Sequence, residues 1–504
     1  MVNEMDKKKS ILNITVSVGF KFATMAMAIL VKRILIDTCG NEVNGLNSLY
    51  LSIIGVLSVA ELGLGTAIAF SMYKPIVEGN VDQVAALYHL FRKMYLLIGA
   101  VIMTMGILLM PFLHYFARDY AQLNVNLYIT FFIMLLSVVL TYLFSAKLAL
   151  FNAYKNNYIT TAVTSGGNLF QYILQILVLF LYRTFTAYLI CRVVTALIQW
   201  VVTNILASKT YAPILSLRAK VDSATKTELR KSIKAMFMHK AGYVLVNSVD
   251  SIVISAFVGV VSLGVYSNYI TILTSMTGIL GLIFTSLTSV IGHLYVENTK
   301  ERASEYCRMF HLINFGLGIL FFLGCYAVID DMVAILFSPD LIVSRSVCFT
   351  IVLNYFIQFM RQTVLVFRDA TGTFYHDRWK PIVEGIVNVV FSVLLVKLIG
   401  IAGVIVATIM TNLCICHIIE PYVLFKNAFH QSPRRYYFQN FGEIILFAVA
   451  MCLVDVCMVS ADNFWLQFLI NGSISVLISG SIAGILLLGN NKMRKNINST
   501  ILKR

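Results

Sequence analysis

The chain has 504 residues, of which 59% are hydrophobic and 12% charged, with a mean hydropathy of +0.82. Soluble proteins carry roughly 25% charged residues, so a cytosolic enzyme, a secreted disulfide scaffold and a disordered adaptor are excluded. The net charge of +15 would suggest nucleic acid in a soluble protein; here its placement among long apolar runs decides its meaning.

Lys7, Lys8 and Lys9 precede an apolar stretch over about 11–36. It is too long for a signal-peptide core and lacks a small-residue cleavage site, so it reads as a retained membrane helix. Further runs long enough to span a bilayer, which takes roughly 20 apolar residues, follow near 46–72, 88–113, 124–147, 157–181 and 184–207. After a basic loop come 234–258, 266–293, 307–329, 344–368, 380–398, 402–425, 438–459 and 463–488. Backbone groups in lipid need internal partners, and no barrel-like alternation is present, so about fourteen transmembrane helices are expected. The fold class is an all-α integral membrane protein. The nine cysteines include no CxxC pair, and the eight histidines are scattered; they predict core and interfacial side chains and no metal site.

With the N-terminus inside, 29 of the 39 basic residues fall in inner segments and six in outer ones. This bias predicts both termini on the cytoplasmic side and turns most of the basic excess into a topology signal, with no nucleic-acid partner. The expected organisation is an N-lobe of six helices (1–207), a basic cytoplasmic linker (208–233), a C-lobe of six (234–425), and two last helices with a basic tail (426–504). Gly45-Leu46-Asn47-Ser48-Leu49-Tyr50 and Gly264-Val265-Tyr266-Ser267-Asn268-Tyr269 share G-x-x-S-x-Y, a weak echo between the halves that suits parallel repeats.

No P-loop, H-E-x-x-H or G-x-S-x-G motif occurs. No catalytic residue is assigned, and the protein is expected not to be an enzyme. Short outer loops disfavour a membrane glycosyltransferase or polymerase, the least favoured class, and favour a transporter.

Four cations lie inside the runs: Lys21, Arg192, Lys240 and Arg361. A charge at the bilayer centre costs on the order of 2.5–3.5 kcal/mol on insertion scales, so such residues usually face a wet interior. One reading is a basic cavity recognising an anionic group such as a diphosphate. The other is structural pairing, Lys21 with Glu61 or Lys240 with Asp250, or snorkelling to the inner surface. Glu61 and Asp250 are the deepest acids and candidates for ion coupling. Glu384, Glu420 and Glu443 lie near inner run ends, where snorkelling is the default expectation. Asn168, Gln171 and Gln175 form a stripe suited to joining helices.

The stretch Gly45–Tyr50, then Ala60–Ala67 with Glu61, Gly63 and Gly65, then Tyr73-Lys74-Pro75, resembles the Wzx-type polysaccharide flippases. So do Phe367-Arg368-Asp369-Ala370-Thr371-Gly372, Asp377-Arg378-Trp379-Lys380-Pro381, Asn388 and Gly400–Gly403. These belong to the multidrug, oligosaccharidyl-lipid and polysaccharide exporter superfamily, and the likeness runs from about residue 10 to 490. It implies a V-shaped, MATE-like pair of six-helix lobes plus two C-terminal helices in the bacterial cytoplasmic membrane. It also implies alternating access that carries undecaprenyl-diphosphate-linked oligosaccharide units to the outer leaflet for capsule or O-antigen synthesis. The implied coupling ion is Na⁺ or H⁺, with no other cofactor, and the implied partners are membrane lipid and the polymerase and chain-length proteins of the pathway. Glu61, Gly63, Gly65, Arg368, Asp369, Gly372, Asp377 and Arg378 carry over family identity, with a structural or gate role. Alternatives are a teichoic-acid or lipid II flippase and a cation-coupled multidrug exporter of the same fold, which the intramembrane cations oppose.

Overall fold

The computed structural model describes residues 2–58, 64–120, 123–217, 219, 221, 248–373, 376–461 and 463–489. Helix occupies each apolar run wherever it is described, and no strand occurs among the described residues. Among them, nine helices are long and apolar enough to cross a membrane. The protein is an all-helical, multi-span membrane protein.

The chain divides into two compact units, Met1–Gly264 and Val265–Arg504. The first contains α1 (Val2–Cys39), α2 (Asn41–Leu57), α3 (Leu64–Val77), α4 (Val81–Leu109), α5 (Leu127–Ala153), α6 (Asn157–Tyr182), α7 (Phe185–Thr210) and α8 (Ser248–Phe257). Here α1 packs on α6, α6 on α7, α5 on α7 and α4 on α5. Short polar signals start these helices: Asn126 accepts from the N–H groups of Tyr128 and Ile129, and Asn80 from that of Gln83. Hydroxyls inside the apolar stretches bond back along the helix, as Thr24 does to the Phe20 carbonyl at 2.7 Å.

Helix α9 (Val260–Glu297) begins at the end of the first unit. Its first turn lies on α2: Asn41 donates to the Val261 carbonyl at 3.0 Å and Asn44 to that of Gly264 at 3.0 Å. A Cβ at Gly45 would run into the Val260 carbonyl and the Gly264 amide. Gly45→Val should therefore cost on the order of 1–3 kcal/mol by overpacking. Thermal unfolding in detergent should show it, while Gly442→Ala, with no atom within 4 Å of the added carbon, leaves the midpoint unchanged.

The second unit continues with α10 (Lys300–Leu336), α11 (Arg345–Met360) and α12 (Gln362–Thr371). Helical residues Lys380–Thr411 are divided by a kink at Ile399 and Gly400 into α13 (380–398) and α14 (401–411). Gly400 takes φ +61° there, a conformation glycine adopts without a Cβ penalty, and this turn separates two runs the hydropathy pattern also separates. Beyond α14 the helix widens into a π turn at Asn412–Cys416, continues through His417–Leu424, and widens again at Phe425–Phe429. Then come α15 (Arg434–Cys457) and α16 (Phe464–Gly489).

These last two helices belong to the body of the second unit: α16 and α15 pack along α10, and Phe447 of α15 stacks on Phe356 of α11 with ring centroids 3.7 Å apart. Arg345 ties them further. Its Nε donates to Asp455 Oδ1 at 2.8 Å and its Nη1 to Asp330 Oδ2 at 2.9 Å, and the Tyr326 hydroxyl also donates to Asp455. Arg345→Met should cost about 1.5–3 kcal/mol, the worth of hydrogen bonds to charged groups, measured as a drop in unfolding midpoint that Asp455→Asn does not deepen in the double variant.

The echoed tyrosines are both buried, with different hydrogen-bond partners. Tyr50 is fully buried and donates to the Leu127 carbonyl at 2.8 Å. Tyr269 is fully buried, donates to Asp330 Oδ1 at 2.6 Å and accepts from the Val343 amide at 3.2 Å.

Candidate functional site: charges within the spans

Irregular backbone in the second unit gathers a buried ionic network. Arg361 occupies the break between α11 and α12. Its guanidinium grips Glu420 with two bonds, Nε to Oε2 at 3.0 Å and Nη2 to Oε1 at 2.6 Å, and Nη1 donates to Asn412 Oδ1 at 2.6 Å. Asn412 opens the π turn, and Glu420 stands just before Pro421, which interrupts the helix ladder. Lys380, the first residue of α13, reaches Glu420 at 2.5 Å and Glu384, one turn onward, at 3.0 Å. Arg361 Nη1 lies 3.8 Å from Glu384. The four charged side chains are 1–15% exposed. Two cations face two carboxylates, so the network is neutral and closed: Arg361 has no spare fork for a phosphate while Glu420 and Asn412 hold it.

The motif around Arg368 is a clip beside this network. Arg368 Nη1 donates to Asp377 Oδ2 at 2.9 Å, Asp377 being buried, and Arg368 also meets the exposed Asp369 at 3.2 Å. Gly372 ends α12 at φ +71°. The Arg368–Asp377 bond ties the last turns of α12 to Asp377, just before α13, and the neighbouring Arg378 is half-buried. Farther in, His311 Nε2 stands 3.0 Å from Glu443 Oε2 and His311 Nδ1 is 3.3 Å from the Tyr436 hydroxyl. His417 Nε2 lies 3.0 Å from the Ile357 carbonyl and its Nδ1 2.8 Å from the Asn440 amide. Both histidines are core residues with polar partners, where interfacial positions were expected. No group of three metal-ligating side chains occurs among the described residues.

The other sequence candidates lie in the first unit. Lys21 is exposed on α1, next to Phe20, which lies over Gly166 of α6. Arg192 is half-buried on α7, near Tyr172 of α6, with its Nε enclosed and without an acceptor. Neither cation has a carboxylate partner among the described residues. Asp250 is buried on α8, 7% exposed, and engaged by neighbours. Gly65 lies in the first turn of α3. Lys240, Glu61 and Gly63, and most of the 208–233 linker, lie outside the described residues. The stripe on α6 joins helices as expected: Gln171 donates to Gln175, which donates to the Tyr188 carbonyl at 3.2 Å.

Sequence reasoning missed the carboxylates. Glu384, Glu420 and Glu443, expected to snorkel, are 6%, 1% and 7% exposed, because Lys380, Arg361 and His311 meet them inside the helix bundle. The Lys380-x-x-x-Glu384 spacing, an i,i+4 ion pair, was the available signal.

No protein-family model and no curated protein matches the chain. Solved structures do. The chain aligns with the lipid II flippase MurJ in an inward closed conformation at a TM-score of 0.64 and 12% identity, over 94% of this chain and 98% of that one. It aligns with an inward-facing multidrug resistance MATE family transporter of the MOP superfamily at 0.59 and 16%, over 82% and 97%. A MOP superfamily transporter from Pyrococcus furiosus, described as having a binding pocket of reversed polarity, aligns at 0.53 and 15%, over 85% and 97%. The chain has the fold of the MOP-superfamily membrane transporters.

Proposed function

We propose that the protein is a Wzx-type flippase, moving undecaprenyl-diphosphate-linked oligosaccharide units from the inner to the outer leaflet of a bacterial cytoplasmic membrane by alternating access. Both termini lie on the cytoplasmic side in this reading, as the basic loops require. The observation that carries it is the pair Lys21 and Arg192: intramembrane cations with no carboxylate partner among the described residues. Such charges are costly unless a wet interior or an anion meets them, and a diphosphate supplies charge-assisted acceptors for both. A cationic drug would be repelled at the same place. The solved lipid II flippase, similar in fold over nearly its whole length, supports a lipid-linked cargo.

Lys240 is the third cation of this reading, and Glu61 and Asp250 couple transport to Na⁺ or H⁺. Arg361 serves by anchoring the Arg368–Asp377 gate loop, and joins the cargo site only when it exchanges Glu420 for phosphate. Polymerase and chain-length proteins take the delivered unit. The test is reconstitution in proteoliposomes holding an undecaprenyl-diphosphate-linked disaccharide, followed by lectin access from outside. Protein-dependent exposure of the sugar is expected. Dye efflux without sugar exposure would instead establish the drug-exporter reading.

A further inference from the structure

We propose that His311 and Glu443, buried between α10 and α15, bind one proton, and that H⁺ is the ion the second unit exchanges for cargo; the latter half rests on the flippase reading. His311 Nε2 and Glu443 Oε2 are 3.0 Å apart, with the imidazole wholly buried and the carboxylate 8% exposed. They make no aligned hydrogen bond, and both atoms are shut off from solvent. With one proton the pair is neutral, as imidazolium and carboxylate or as imidazole and acid. Without it the pair holds one negative charge in the interior of the second unit, where charge is costly. No Lys or Arg pairs with Glu443 among the described residues. Acid and imidazole side chains placed inside a membrane are the parts from which proton carriers are built.

Hydrogen-bond partners separate this histidine from its neighbour. His417 Nε2 faces the Ile357 carbonyl, which can only accept, and the Asn440 amide donates to its Nδ1 at 2.8 Å. One acceptor and one donor fix His417 as the neutral Nε2–H tautomer. His311 is not fixed in this way. Its Nδ1 meets the Tyr436 hydroxyl at 3.3 Å, and a hydroxyl can rotate to donate to a bare nitrogen or accept from a protonated one. The Gln439 amide donates to Glu443 Oε1 at 2.8 Å, which leaves Oε2 for the proton. A Na⁺ would take a shell of oxygens, whereas here a ring nitrogen faces the carboxylate and an amide N–H covers its other oxygen.

The ionisable groups around the pair are Cys307 and Arg308 on α10, Tyr436 and Tyr437 on α15, and His417 and Glu420 on the helix between the π turns. Arg361, Lys380 and Arg368 stand beyond them around Glu420. Helix α16, packed along α10, carries no ionisable side chain. Asn440 lies one turn before Glu443 and holds His417, which lies one turn before Glu420. A change of charge at Glu443 therefore reaches the Arg361–Lys380–Glu420 network through two packed side chains.

The first test is ¹⁵N-histidine NMR of the full-length protein in lipid, from about pH 5 to 8, where imidazoles titrate, with H311Q and H417Q for assignment. His311 should titrate, His417 should stay in the neutral Nε2–H form, and E443Q should move the His311 titration. A silent His311, or a titration that E443Q leaves unmoved, overturns the site. The second test is lectin access in proteoliposomes holding an undecaprenyl-diphosphate-linked disaccharide. A gradient of one pH unit, acid on the receiving side, should raise sugar exposure up to about tenfold at one proton per cargo molecule, and E443Q and H311Q should lose this dependence. Dependence kept in both variants, or drive by a Na⁺ gradient and none by H⁺, overturns the coupling. Sugar exposure absent under every gradient, with His311 still titrating, counts against the flippase reading and leaves the proton site standing.

Discussion

Glu420→Ala is expected to be among the most destabilising single changes in the protein. In the native network Glu420 is shared by Arg361 and Lys380, with Glu384 as the second carboxylate. Removing Glu420 leaves two buried cations against one carboxylate. Breaking a buried pair in this way costs about 3–5 kcal/mol, because the orphaned charge stays out of water. Arg361→Leu should cost less, since the surplus carboxylate keeps Lys380 at 2.5 Å. The double variant Arg361→Leu/Glu420→Leu removes one charge of each sign and leaves Lys380 and Glu384 paired at 3.0 Å. Hydrophobic replacement of a whole buried pair is often neutral or stabilising, so the double variant should be more stable than Glu420→Ala and no less stable than Arg361→Leu. Unfolding midpoints in detergent, with folded yield from membranes, would measure the cycle. Additive losses would show that the two residues do not act as a unit.

The helices were readable because lipid imposes one requirement on every span, an apolar stretch of sufficient length with its backbone bonds inside. Even the boundary between α13 and α14 was visible, since Gly400 interrupts the hydropathy where the backbone turns. Apart from the i,i+4 spacing of Lys380 and Glu384, the partners of the charges have no local sequence signal. Lys380 looked like one more inner-side basic residue, and Glu420 like a run-end acid. Their meeting depends on the break at Arg361 and the π turn at Asn412–Cys416, backbone irregularities with no periodic signature. Pro421 was the one local hint that this helix departs from a regular ladder. Arg361 shows the consequence: its side chain is 15% exposed, and burial alone does not distinguish a ligand-binding cation from a paired one.

That distinction gives the second large effect. Lys21 and Arg192 should behave oppositely to the network residues when their charge is removed. With no carboxylate partner among the described residues, their neutralisation strands none of the described acids. It removes an insertion cost on the order of 2.5–3.5 kcal/mol for a centrally placed cation, so protein level should hold or rise. Function should fall. Each charge-assisted bond to a diphosphate is worth about 1.5–3 kcal/mol, and each 1.36 kcal/mol is tenfold in rate where it is realised in the rate-limiting step. Lys21→Ala/Arg192→Ala should therefore reduce surface polysaccharide at least about tenfold in cells, with lipid-linked units accumulating on the inner leaflet. Lys21→Arg should retain much of the activity, because a cation remains, whereas Arg192→Lys should be poorer, because a point charge replaces a fork. Normal polysaccharide in the double alanine variant, at unchanged protein level, would remove both residues from the cargo path. Lost polysaccharide with lost protein would instead make them structural, like Arg361. Stability and export measured on the same variants thus separate charges that hold the fold from charges that meet the cargo.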